Sequence, residues 1–120
     1  MSKIVQAINS MITNKDHISD VLKSVEEYFF LYKKKYKWSM AKRDDGYHLW
    51  FYPGSEGLVQ LVAMTNSNWD SDVAMIHYTD SEIGTKEAKE SFAELYTILS
   101  EKLYGIDEVL DDIISDDIPF

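Results

Sequence analysis

The chain has 120 residues, of which 45% are hydrophobic, so it fits one domain with its own core, and the absence of cysteine excludes disulfides and thiolate metal sites. The net charge of −9 is uneven, because from residue 61 onward three lysines face fourteen acidic residues. An acidic half repels phosphate backbones, which argues against direct nucleic-acid binding and favours a basic protein partner.

The N-terminal residues predict a cytoplasmic protein that begins with helices. They lack a basic segment followed by an apolar run and a cleavage site, and no stretch approaches the roughly 18 apolar residues of a membrane span. Apolar residues recur at helical spacing from Ile4 to Ile12 and again, after a polar interruption, from Ile18 to Tyr32. The pattern predicts a short first helix and a longer second one that ends in the lysine-rich run 33–37, where cations complement the helix dipole.

From residue 36 the hydrophobic period changes to two. Trp38 and Met40 alternate with polar or small residues, and Asp45-Gly46, a strong hairpin signal, leads into a strand at 47–52. Two more strands are predicted at 58–64 and 73–78, separated by a polar loop. Short connections make these four strands an antiparallel meander.

Two helices are predicted after the strands. The first is amphipathic and runs from residue 85 to Gly105, and Asp107 caps a shorter one that carries Val109, Leu110, Ile113 and Ile114. The predicted fold is therefore α+β, a four-stranded antiparallel meander flanked by N-terminal and C-terminal helices on one face. Residues 1–114 form the single domain, and 115–120 form a C-terminal acidic and apolar tip.

The strand at 47–52 carries large side chains on both faces. Leu49 faces the core, and His48, Trp50 and Tyr52 line the opposite face, which is a candidate interface because interfaces favour Trp and Tyr. That face binds a protein partner, forms a homodimer seam, or is covered by a helix or by the C-terminal segment, and the sequence leaves these alternatives open. His48 and His77 are placed to meet across strands, although no histidine pair has metal-ligand spacing.

No group of residues in the sequence forms a recognisable catalytic motif. A glycine-rich phosphate loop, a nucleophile elbow and a zinc signature are all missing from the sequence. We therefore expect a non-enzymatic protein without cofactor or metal.

The last five residues of the sequence, Asp116-Asp117-Ile118-Pro119-Phe120, combine acid and apolar chemistry. The Phe120 ring can fill an apolar pocket while its α-carboxylate, at the end of this sequence, meets a cation, and Pro119 lowers the entropy cost because its φ is fixed. The two acids would steer the segment toward a basic groove. This chemistry is typical of a segment that docks on another protein.

These residues resemble the C-terminal tip of bacterial single-stranded-DNA-binding proteins, which end in an acidic stretch and Asp-Ile-Pro-Phe. The resemblance implies that the tip recruits replication, recombination and repair enzymes by docking into basic, apolar pockets. Phe120 would be the anchor, Ile118 and Pro119 the flanking apolar contacts, and Asp116 and Asp117 the steering acids. The rest of the chain does not resemble the DNA-binding domain or the long linker of that family.

The expected function is therefore to engage, inhibit or redirect an enzyme of DNA metabolism by imitating that tail, as a phage or mobile-element protein would. Two alternatives remain open. One is a small acidic chaperone or immunity-type protein that masks a cognate partner, and the other is an acidic DNA mimic that fills a DNA-binding groove.

Overall fold

The computed structural model describes residues 2–66 and 73–116 and shows an α+β protein. A 3₁₀ turn follows the first helix at Lys15–His17. The helices and strands, in chain order, are α1 (Lys3–Thr13), β1 (Ile18–Lys23), β2 (Glu27–Tyr32), β3 (Tyr36–Arg43), β4 (Gly46–Tyr52), α2 (Leu58–Asn66), β5 (Ile76–Thr79), α3 (Asp80–Ile83), α4 (Lys86–Tyr104) and α5 (Ile106–Asp116).

The strands form one antiparallel sheet in the order β1-β2-β3-β4-β5. The α+β class and the antiparallel meander are thus confirmed, although the described residues contain five strands and the sequence predicted four. The predicted hairpin joins β3 to β4, but its two loop residues are Asp44 and Asp45 instead of Asp45 and Gly46. Gly46 is the first residue of β4, pairs with Arg43 and has a φ of +123°, which favours glycine. The last strand begins at Ile76 instead of Val73.

The predicted helix from Ile18 to Tyr32 is wrong, because this segment forms the antiparallel hairpin β1–β2. Tyr28, Phe29 and Phe30 are all buried, and consecutive large side chains point to opposite faces only in a strand. The helical spacing that misled the prediction includes Val25, which is 81% exposed in the turn. The pairing of β1 shifts register between Ser19 and Leu22, where Asp20 takes a left-handed φ of +55° and forms a bulge.

The predicted strand at 58–64 is also wrong, because these residues belong to α2. Leu58 and Leu61, three residues apart, are buried, whereas Val59 between them is 73% exposed. That pattern fits one face of a helix, and a short apolar run does not distinguish the two structures by itself.

The helices cover both faces of the sheet. As predicted, helices from the two ends of the chain share one face, where α1 and α4 pack on a core built from alternate strand residues such as Phe30, Met40 and Leu49. Unlike the prediction, α2 covers the opposite face, where Phe29 and Tyr52 form a second core with Leu61.

The terminal helices start and stop at the signals in the sequence. The Thr85 hydroxyl accepts a hydrogen bond from the Ala88 amide at 3.1 Å, and Gly105, with a φ of +63°, ends α4. The next helix, α5, begins at Ile106, so Asp107 lies in its first turn and is not its cap. None of the helices in the described residues is long and apolar enough to cross a bilayer.

Candidate functional site

The C-terminal tip adjoins α5. Asp116 is the last residue of that helix and is exposed. The other four residues of the predicted partner-binding set, Asp117, Ile118, Pro119 and Phe120, lie outside the described residues.

The helix that leads into the tip is amphipathic and uncovered. Not one residue of α5 is buried, and its apolar side chains are 36 to 60% exposed. Its acids, which include Asp111 and Asp112, add negative charge beside them. The exposed apolar residues are Ile106, Val109, Leu110, Ile113 and Ile114. A stripe of this kind indicates a surface that another protein covers.

The predicted second interface is divided by the structure. His48, Trp50 and Tyr52 share one face of β4, as expected, but Tyr52 is only 2% exposed and stacks on Phe29 in the core beneath α2. Trp50 is partly exposed and pairs with His77 of β5 across the sheet. His48 is also buried, at 8% exposed, so Trp50 is the one residue of this predicted set that is partly exposed.

The side chains of Asp45, His48 and His77, next to the β5 edge of the sheet, form a directional hydrogen-bond chain. The His48 Nε2 lies 2.8 Å from an Asp45 carboxylate oxygen, and its Nδ1 lies 2.8 Å from the His77 Nε2. Because a carboxylate accepts, His48 donates from Nε2, which leaves Nδ1 to accept from His77. The His48, His77 and Trp50 rings stack, and the Arg43 guanidinium lies 5.3 Å from the Trp50 ring.

Asp45 and His77, at the two ends of the hydrogen-bond chain, both have shifted pKa values. The hydrogen bond from His48 lowers the pKa of Asp45. Although His77 is exposed, loss of part of its solvation, together with the neighbouring His48, lowers its pKa below the ordinary value of 6.5. Both shifts favour the state in which the carboxylate is charged and the outer imidazole is neutral.

The lowered pKa of His77 predicts a loss of stability in acid. A histidine whose folded pKa is depressed binds fewer protons than in the unfolded chain, so its contribution is present above pH 6.5 and is lost as pH falls toward the folded pKa. We expect His77→Gln to reduce the fall in the free energy of unfolding between about pH 8 and about pH 5. Urea titrations of both proteins across that range measure it, and equal pH dependences would contradict the prediction.

The buried Tyr52 hydroxyl predicts a coupled stability effect. It lies 2.7 Å from the Ser39 hydroxyl, which is fully buried, and burial raises the pKa of Tyr52. Tyr52→Phe should lower the free energy of unfolding by about 1 kcal/mol, because it leaves the Ser39 hydroxyl without this partner. In a Ser39→Ala background the same change should cost less, and an equal cost in urea denaturation would show that the two hydroxyls are not coupled.

A cavity of about 600 Å³ lies between α1 and the sheet. Tyr32, Tyr36, Trp38, Phe51 and Tyr78 form its aromatic walls, together with residues of α1, His17 and Lys33. The sequence did not predict this cavity, because one of its aromatic residues, Tyr32, belongs to the β1–β2 hairpin that was predicted as a helix. The alternation of aromatics in β3 and β4 was the only local signal.

Residues 2–66 and 73–116 contain no recognisable grouping of catalytic or metal-binding side chains. Within these ranges no three His, Asp or Glu side chains are grouped to hold a metal ion. The Asp45–His48–His77 chain orients two imidazoles, but among the described residues no hydroxyl is seen bonded to either ring, and the nearby Ser81 hydroxyl donates to the Asp45 backbone carbonyl.

Comparisons with protein-family models, curated proteins and solved structures give no significant match to this chain.

Proposed function

We propose that this chain is a non-enzymatic protein-binding module that presents α5 and residues 117–120 to an enzyme of DNA replication, recombination or repair. The observation that carries the proposal is the uncovered α5, an acidic amphipathic helix that ends at Asp116, where the tail-like motif begins. The enzyme would contribute a basic, apolar pocket of the kind that accepts the tail of a single-stranded-DNA-binding protein. Binding of the chain would then displace or redirect the partners that the enzyme normally meets in DNA metabolism.

The two parts of the surface have separate roles in this proposal. The acids of α5 and the tip guide the approach to a basic pocket and raise the association rate. Ile118, Pro119 and Phe120 then provide apolar contacts, and the exposed face of α5, with Ile113 and Ile114, enlarges the buried area. The natural tail of a single-stranded-DNA-binding protein lacks the contact that α5 adds. Because the tip itself would occupy the same pocket, the chain should compete with that tail.

A competition experiment tests the proposal. The purified protein is titrated onto a repair enzyme that binds the tails of single-stranded-DNA-binding proteins, and a synthetic peptide of such a tail is then added. We expect the tail peptide to displace the protein, whereas a peptide of the same composition in scrambled order does not.

Two outcomes would contradict tail mimicry. If the protein binds the enzyme but the peptide does not displace it, the tip is not the anchor. If duplex DNA displaces it and the tail peptide does not, the exposed acids of α5 act as a DNA mimic instead.

A further inference from the structure

The aromatic cavity between α1 and the sheet has the size and lining of a binding site. Its volume of about 600 Å³ lies within the roughly 300 to 1,000 Å³ of ligand pockets, and such pockets are mostly apolar. Tyr36, which lines it, is 41% exposed, so aromatic surface is open to an occupant. Trp38, on the same wall, has a buried indole N–H for which the described residues provide no acceptor.

Cations are held at the same end of the molecule. Lys33 lines the cavity, and Lys33 and Lys34 both adopt left-handed φ values, of +55° and +60°, in the turn between β2 and β3. The backbone amide of Lys33 donates to the His17 carbonyl at 2.9 Å, which fixes the turn against the 3₁₀ segment. The Lys35 ammonium lies 4.8 Å from the Tyr36 ring. An apolar occupant preceded by negative charge fits this arrangement.

The chain itself contains a segment of that chemistry, Asp116-Asp117-Ile118-Pro119-Phe120. Its acids complement the turn lysines, and its three apolar residues match the aromatic walls. No other stretch of the sequence combines adjacent acids with a following Ile-Pro-Phe.

The geometry of α5 favours a cavity on another molecule. The helix is exposed along its whole length, and eleven residues extend it by about 16 Å, so Asp116 lies at the end of a helix that no described element covers. The molecule is correspondingly elongated, at 59 by 33 by 27 Å. Four residues beyond Asp116 can turn back by at most about 14 Å.

We propose that the cavity receives residues 118–120 of a second copy of the chain. Two copies that exchange tips in this way form a closed pair with two-fold symmetry. In that pair the apolar face of each α5, which is exposed in a single chain, would be covered by the other chain. The exchange stands on the cavity and on α5, and it does not require the enzyme partner proposed above. If that partner also exists, exchange and enzyme binding use the same residues and exclude each other.

Sedimentation equilibrium of the full chain tests the exchange. We expect a reversible dimer, which Phe120→Ala weakens roughly tenfold or more because the anchor ring is lost. Lys33→Glu should weaken it by a similar factor, because it places a carboxylate where the acids of the tip arrive. Lys89→Glu, the same charge change at an exposed position on α4, should leave the dimer unchanged.

A mixing experiment separates tip exchange from other modes of association. Phe120→Ala keeps an intact cavity and Lys33→Glu keeps an intact tip. When the two variants are mixed, we therefore expect a heterodimer with one intact tip-in-cavity contact, which forms more tightly than either variant's own dimer. A wild-type chain that stays monomeric up to its solubility limit would overturn the proposal, and so would a dimer that Phe120→Ala leaves intact. Enzyme binding is measured separately, and its failure would not affect this result.

Discussion

Phe120→Ala is expected to reduce binding to a tail-binding repair enzyme by about ten- to a hundredfold. Burial of a Phe side chain contributes roughly 1.5 to 3 kcal/mol, and this change removes that contribution while the acids of the segment remain. The loss should appear mainly as faster dissociation, which surface plasmon resonance measures directly. At concentrations low enough to keep the chain monomeric, thermal stability should not change, because Phe120 follows a helix in which no residue is buried.

A charge variant provides the matched control for that result. Replacing Asp116 and Asp117 with Asn should weaken association less than Phe120→Ala, and mainly at low salt, because steering charges are screened over roughly 10 Å at 0.1 M ionic strength. Wild-type affinity in the Phe120→Ala protein would show that the tip does not dock. A lower melting temperature with unchanged affinity would show that the ring packs on its own domain.

Phe92→Ala is expected to give a large loss of stability, about 3 to 5 kcal/mol in the free energy of unfolding. Phe92 lies in the first half of α4, is fully buried and belongs to the same core cluster as Leu49 and Met40. The truncation leaves a cavity between α4 and the sheet. The expected loss is a large share of the total, because single domains have free energies of unfolding of only about 5 to 15 kcal/mol.

Tyr104 provides the comparison for this change, because it ends the same helix and is 65% exposed. Tyr104→Ala should change the free energy of unfolding by less than about 0.5 kcal/mol. Urea denaturation measures both variants. Similar losses in the two proteins would mean that α4 does not form the main core.

Local sequence signals predicted the parts of the fold in which neighbouring residues decide the structure. The Asp45-Gly46 hairpin signal and the alternation that follows it placed His48 and Trp50 on one face, and the periodicity of α4 ended at Gly105 as expected. In the segment from Ile18 to Tyr32 the apolar residues also fit a helix, and only pairing with β3 decides for a strand. That pairing is a long-range interaction which a single sequence does not show.

For the candidate surfaces too, local sequence signals predicted the elements, whereas long-range packing decided how they are arranged. The helical character of α5 follows from its spacing, but whether its apolar face is covered depends on where Gly105 directs it, and the structure leaves that face exposed. The aromatic cavity brings together Tyr32, Phe51 and Tyr78 from three strands. Its existence depends on the correct sheet order, which the predicted second helix obscured. The sequence predicted that His48 and His77 can meet across strands, but their hydrogen bond depends on the register of β4 and β5.

The bulge in β1 has a consequence for the protein at high concentration. An unpaired edge strand offers a row of amide and carbonyl groups on which another chain can add a strand, and this is a common route to fibrils. At the outer edge of this sheet the left-handed backbone of Asp20 interrupts that row and places an exposed carboxylate beside it. The opposite edge is β5, which has only four residues. The sheet is therefore protected against growth by strand addition, and the protein should resist amyloid formation even when it is crowded.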